Sequence, residues 1–276
     1  MQKQFLGMLL AMAVGCTFLG GNVAMANDRT EVSNAAVTQL YKGKAPEAIR
    51  EDAELSTIIE KFIYADVANN VKLSVKEQAL LRLVVLAANN TTDDYEKYVI
   101  GALNAGAKPE EIRETIFHTT PYIGFAKAKE AMEDMYEAFD KAGVRSPAAA
   151  GTVTDATRYT DGFTVQSGIF GDGIAKGDAA APADMKHIRR FLSANCFGDY
   201  YTRQVLDLKQ RELITFTAIA ALGGCEAQVK AHALGNLNVG NTRQNLIDAV
   251  TVALPFIGYP RTLNAMACID EITPAK

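Results

Sequence analysis

A chain of 276 residues with 49% hydrophobic and 22% charged side chains has the make-up of a folded globular protein and excludes a disordered one, which combines low hydrophobicity with high charge. The formal net charge of −4 excludes a strong positive field for nucleic acid or an anionic membrane surface. Eight prolines and no tryptophan leave room for long helices.

The first 26 residues differ from the rest. Lys3 supplies a positive start, no charge occurs from Phe5 to Ala26, and Ala24-Met25-Ala26 precedes polar Asn27-Asp28-Arg29. That is the pattern of a secretory signal peptide cleaved after Ala26, so export to the periplasm or outside is expected. The uncharged run is long enough to span a bilayer, but Gly15, Gly20, Gly21 and Asn22 interrupt it, and no membrane association is expected after cleavage. Ala13-Val14-Gly15-Cys16 loosely resembles a lipoprotein cleavage box, the alternative fate. Cys196, Cys225 and Cys268 then remain. An odd count in an oxidising compartment leaves at least one thiol free or paired elsewhere, and rules out a disulfide scaffold.

An internal repeat organises the rest. Leu103-Asn104-Ala105-Gly106 matches Leu237-Asn238-Val239-Gly240, Pro121-Tyr122-Ile123-Gly124-Phe125 matches Pro255-Phe256-Ile257-Gly258-Tyr259, and Ala131-Met132 matches Ala265-Met266, all at an offset of 134 residues. Leu80 matches Leu213 at 133. The expected organisation is a first repeat with its N-terminal helices over 27–145, a Gly/Ala-rich linker and connecting helix over 146–205, and a second repeat over 206–276.

Each repeat reads as helical. Lys209 to Leu222 is a largely apolar run of helix length, broken by Gly223-Gly224. Glu226 to Val239 resumes the pattern and stops at Gly240, a natural left-handed cap. Thr242 caps a third helix, predicted to stop at Pro255, and Pro260 opens a fourth. In the first repeat Lys108-Pro109-Glu110-Glu111 opens the third helix. The fold class is therefore all-α, a tandem repeat of a multi-helix unit, with Leu83, Leu86, Leu213, Phe216, Leu237 and Ile257 in its core. Residues 146–184 are rich in Gly, Ala, Thr and Asp and read as mostly loop. The glycines there lack the Gly-Lys-Ser/Thr of a phosphate loop.

Cys225, Gln228, His232 and Asn236 fall at i, i+3, i+7 and i+11, on one helical face. Cys225 follows the Gly-Gly break, where a helix N-terminus favours a thiolate. Gln228, one turn before His232, can hydrogen-bond the ring. Glu212 lies on the preceding apolar helix, where a carboxyl needs a partner. The same residues also suit plain structural roles, Cys225 as a small buried hydrophobe and His232 as a satisfied interface histidine. At the corresponding positions the first repeat has Thr91, Asp94 and Tyr98. It has instead His118 four residues after Glu114, a spacing that faces the two side chains together, where the second repeat has Asp248 and Val252. His187 is expected on a solvated helix face. No metal site is expected, because no two histidines are at i, i+4 and no Cys-x-x-Cys occurs.

The run Arg211-Glu212-Leu213-Ile214, then Cys225 to His232, Gly235 to Gly240 and Pro255 to Pro260, resembles the carboxymuconolactone decarboxylase-like family. In the first repeat Gly101 to Gly106, Glu111 to Glu114 and His118-x-x-x-Tyr122-x-Gly124 agree, and Asn195 to Arg203 looks like the segment before the second copy in tandem members. The resemblance implies an all-helical homo-oligomer, a trimer or hexamer, with no cofactor. It implies one of two activities. One is decarboxylation of a carboxylated muconolactone by proton transfer, a lyase reaction. The other is the peroxiredoxin-type chemistry of alkylhydroperoxidase-D-like members, which use Cys-x-x-Cys-x-x-x-His with an upstream Glu. Carried across, Cys225 takes the first cysteine, Gln228 the second, His232 the histidine and Glu212 the acid. With Gln228 in the second place, a dithiol–disulfide cycle within the motif is impossible. The expected function is acid–base chemistry on a small carboxylated or lactone-type substrate. His232 would transfer the proton, Glu212 and Gln228 would set its tautomer, and His118 with Glu114 would supply a second acid or base. The alternatives are a thiol antioxidant based on Cys225 and a non-catalytic oligomeric binding module.

Overall fold

Every regular element is a helix among the residues that the computed structural model describes, 16–145 and 151–275, with side chains from Arg29 onward. By internal contacts the chain forms two compact units, residues 1–69 and 70–276. The first holds α1 (Cys16–Tyr41) and α2 (Ala53–Lys61), which runs on as a π-helical stretch, Phe62–Val67, and a last turn. Asp52 caps α2 by accepting from the Leu55 N–H at 2.9 Å, and Tyr64 packs edge-on against Tyr41 at 5.8 Å. The predicted cleavage point at Ala26 falls inside α1. Most of the predicted signal segment, residues 1–15, lies outside the described residues.

The second unit contains the site. Its elements are α3 (Val75–Asn89), α4 (Tyr95–Asn104), α5 (Pro109–Ile123), α6 (Phe125–Ala142), α7 (Arg158–Phe170), α8 (Gly173–Ala180), α9 (Lys186–Phe191), a π-helical continuation (Leu192–Tyr201), α10 (Leu208–Leu222), α11 (Glu226–Asn238) and α12 (Arg243–Ile272). The capping chemistry is local and exact in register: Ser74 with Glu77, Asp207 with Gln210 and Thr242 with Asn245 each form reciprocal boxes, which satisfy N–H groups that a helix start otherwise leaves unpaired. Helices α3 and α10 are repeat equivalents. Both are buried on all sides, Gln78 to Ala88 in one and Arg211 to Ala221 in the other, as expected of helices at the centre of a core. Both repeats thus share one core.

Leu83, Leu86, Leu213, Phe216 and Ile257 are buried as expected. Leu237 is only half-buried. On α11 the inward positions are Gly235 and Asn236, and Leu237 is rotated one residue, about 100°, away from that face. The third helix of the second repeat does not stop at Pro255. It passes through Pro255 and kinks at Gly258, whose φ of 74° and ψ of 168° are non-helical. Gly124, its repeat equivalent, ends α5 three residues after Pro121 in nearly the same conformation, φ 86° and ψ 153°. A proline obstructs only the preceding turn, whereas reversing the path needs a positive φ, which glycine tolerates.

The Gly-rich segment expected to be mostly loop forms α7 and α8 instead. One of its glycines, Gly162, serves helix packing together with Gly198 of the π-helical stretch. A Cβ on Gly162 of α7 would lie 2.0 Å from the Ser193 carbonyl oxygen, and one on Gly198 would lie 2.1 Å from the Arg158 carbonyl oxygen. Helix α7 and the π-helical stretch therefore touch backbone to backbone, and the Arg158–Asp199 ion pair clamps the same joint, with Nε to Oδ1 at 2.8 Å. That contact outweighs the roughly 1 kcal/mol each helical glycine costs relative to alanine. Gly162→Ala should destabilise the protein by about 3 kcal/mol, the upper range for overpacking, because the obstructing atoms are backbone. A urea unfolding midpoint equal to wild type would contradict this close approach.

Candidate active site

Four elements of the second unit converge: α5 brings His118 and Tyr122, the π-helical stretch Cys196 and Tyr201, α10 Arg211, Glu212 and Thr215, and α11 His232. Asn236 ties α11 to α10 by donating from Nδ2 to the carbonyl oxygens of Glu212, at 2.9 Å, and His232, at 2.7 Å.

The direction of every hydrogen bond in the cluster follows from Arg211, which can only donate. Its guanidinium approaches His118 Nδ1 at 3.2 Å, so that nitrogen accepts and Nε2 carries the proton. Nε2–H donates to Thr215 Oγ1 at 3.1 Å, and Thr215 donates to the Tyr201 hydroxyl at 2.9 Å. Tyr201 then gives its one proton to Glu212 Oε1 at 2.6 Å. A branch runs from the Cys196 thiol to Tyr122, 3.2 Å, and from Tyr122 to Tyr201, 3.1 Å. The other carboxylate oxygen, Oε2, meets His232 Nδ1 at 2.9 Å. All donors point at Glu212. His232 therefore carries its proton on Nδ1, and its Nε2 lone pair has no partner among the described residues.

The effect of burial on these groups agrees with the roles. Burial, then the charge of Arg211, holds His118 well below the usual histidine range, so it stays neutral. Burial first, then the neighbouring Tyr122 and Glu212, raises Tyr201, and burial pushes the Cys196 thiol up to about 12. Each remains a donor at neutral pH. Between the lowered folded value of His118 and the unfolded value near 6.5, the unfolded chain binds a proton that the folded chain does not. Its contribution to stability is therefore complete above about pH 6.5 and declines as pH falls below it, at up to about 1.4 kcal/mol per pH unit. Unfolding free energies measured from pH 7.5 to 5.5 should show a shallower slope in His118→Gln; parallel slopes would contradict the assignment.

His232 is held edge-on between Phe170, at 5.3 Å, and Tyr122, at 5.8 Å, and lines a cavity of about 480 Å³. Phe170, Ile174, Leu192, Phe197, Ile219 and Leu222 form the large apolar part of its wall. Gln166, Gln228, Cys196 and Cys225 are its other polar residues apart from Tyr122 and His232. This size and lining are those of a small-molecule site.

Two expected pairings are different in the structure. Gln228 does not hold the His232 ring, because Glu212 occupies Nδ1 and the outward turn of α11 leaves Gln228 exposed at the pocket. Glu114 does not pair with His118. It binds Arg203 through two bonds, at 2.8 and 3.0 Å, and Arg113 at 2.8 Å, with Arg211 at 3.9 Å. A fully buried carboxylate takes the cations that reach it, and three do. His118 lies in the core and is absent from the cavity wall. Cys225 is half-buried at the N-cap of α11, where it lines both this cavity and a second one of about 180 Å³ that it shares with Cys268. His187 is exposed, as expected. Tyr201, Thr215, Tyr122, Arg211 and Gln166 were not among the expected site residues. Tyr122, Tyr201 and Arg211 did stand in recognised motifs.

The repeat explains why there is one such site. His232 packs on Tyr122; their equivalents, Tyr98 and Phe256, pack edge-on at 6.1 Å. Ala79 stands where Glu212 stands in the second repeat. The equivalent location thus holds an aromatic pair and has no acid at the position of Glu212.

The model of the "Carboxymuconolactone decarboxylase family" matches residues 53–134 and 187–271, more than half of the chain. The chain belongs to the carboxymuconolactone decarboxylase family. Within it, 4-carboxymuconolactone decarboxylase of Acinetobacter baylyi is 24% identical over 121 residues, which is 44% of this chain and 90% of that one. The two matched regions of the family model correspond to the two repeats, and the second includes Tyr201, Glu212 and His232.

Proposed function

We propose that this family member is an acid–base enzyme in which His232 Nε2 takes a proton from, or returns one to, a small substrate seated in the 480 Å³ cavity. The observation that carries the reading is the Glu212–His232 contact of 2.9 Å. A buried carboxylate fixes the Nδ1–H tautomer and leaves the opposite nitrogen as a base in an apolar pocket. The name of the Acinetobacter relative brings decarboxylation of a carboxylated lactone into the test, and the mostly apolar lining of the cavity makes proton exchange next to a carbonyl the reaction to try first. Cys225, half-exposed at a helix start, supports a thiol peroxidase as the competing reading. Cys196 and Cys268 are buried, so an external thiol would have to reduce it. We further propose export with cleavage after Ala26 and assembly into a homo-oligomer. An intact mass beginning at Asn27 and a trimer or hexamer by light scattering would support these.

The test is to incubate the protein in D2O with carboxylated and uncarboxylated lactones and follow product and deuterium incorporation. Turnover should survive Cys225→Ser. Peroxide-dependent turnover that is lost in Cys225→Ser and kept in His232→Gln would replace the acid–base reading with the thiol one.

A further inference from the structure

Among the described residues, no lysine or arginine lines the cavity beside His232. The arginines of this region are committed elsewhere. Arg203 and Arg211 lie at the far end of the hydrogen-bond chain with Glu114, and Arg261 lines the smaller cavity, donating to Asn89 and the Ala221 carbonyl. The acidic group beneath the floor is Glu212, which accepts hydrogen bonds on both oxygens. An anionic ligand entering here would lose its hydration to apolar walls and meet a negative rather than a positive partner, and burying an unpaired charge is strongly unfavourable. A neutral carbonyl group meets the opposite situation. Gln166 lines the cavity and is 3% exposed. Its Oε1 accepts from Ser193 at 2.7 Å, so what it offers a ligand is the amide N–H pair, for which no protein acceptor exists among the described residues.

Resting on the reading of His232 as the base, we infer that the substrate class is a neutral, mostly apolar carbonyl compound with an acidic α-hydrogen, an enolisable ketone, ester or lactone without a free carboxylate. The step balances within the site. His232 Nε2 takes the α-proton, the C–H electron pair becomes the enolate double bond, and the carbonyl π pair moves to oxygen. Gln166 donates to that oxygen, the arrangement that stabilises developing negative charge. Return of the proton to carbon completes an exchange or an isomerisation with no oxidant or reductant.

Three probes of one ring system test this on the full chain: 1-indanone, 3-oxo-1-indanecarboxylate and the methyl ester of that acid. Isothermal titration should show the ketone and the ester binding at least tenfold more tightly than the carboxylate. Leu192→Arg places a cation at an exposed lining position, 43% accessible, and should raise carboxylate binding about tenfold. A carboxylate that binds wild type as tightly as its ester, or no binding by any of the three, overturns the inference. Deuterium exchange at the α-carbon tests the base separately. Ketone binding with exchange unchanged in His232→Gln would uphold the neutral ligand and remove His232 as the base.

Discussion

His232→Gln should reduce the proton-transfer activity about a hundredfold or more, the usual cost of removing a general acid or base. Glutamine is close in size and keeps a donor toward Glu212, so the helix contact survives while the titrating nitrogen is lost. The nearby side chains do not replace it. Gln228 cannot ionise, Tyr122 is raised well above the ordinary tyrosine range by burial and by Cys196 and Glu212, and His118 is sealed in the core. Glu212→Gln should cost less, about ten- to a hundredfold, as loss of an orienting partner does. It retains hydrogen bonding but no longer specifies the Nδ1–H tautomer. Steady-state rates on a substrate found by the D2O screen decide this; His232→Gln within a factor of a few of wild type would end the assignment.

Glu114→Ala should be the most destabilising single change in the second unit outside its apolar core, at about 3–5 kcal/mol, the range for breaking a buried ion pair. The carboxylate is fully buried and neutralises Arg203 and Arg113 directly, with Arg211 close by. Without it, Arg211, whose guanidinium burial already pulls down to about 10 against the attraction of Glu114, is left as an uncompensated buried charge. Arg203, stacked on Phe117 at 4.3 Å, loses both of its bonds to that carboxylate. Chemical denaturation measures the loss, and a change below about 1 kcal/mol would place the cluster among weak surface pairs.

The parts of this architecture that were legible in the sequence are those set by near neighbours. Thr242 at a cap and Pro109 in a first turn mark helix starts from a few residues each. The repeat follows from matched tetra- and pentapeptides. Glu212 and His232 could be paired because a lone carboxyl on an otherwise apolar helix must find a partner, and the next helix offered few. The remainder depends on contacts between distant positions. Arg203 is 89 residues from Glu114 and Tyr201 is 79 from Tyr122, so local spacing carried no sign of either pair. It favoured instead the i, i+4 pairings Glu114–His118 and Gln228–His232, which the packing overrules. Gly162, inside the segment read as loop, was misleading for a related reason. A glycine that admits a neighbouring backbone looks, in sequence, like one that starts a turn.

The one-way order of the hydrogen bonds behind Glu212 sets how the site must reset. A proton delivered to His232 cannot leave through the core, because the chain ends at Arg211, which has no lone pair to accept one, and its branch ends at a thiol that stays protonated. The imidazole has a single door, the cavity itself. While a ligand closes that door, the abstracted hydrogen stays on the imidazole and can only go back to the ligand, so the deuterium that the D2O experiments read should enter the substrate only through complexes that have opened between one abstraction and the next.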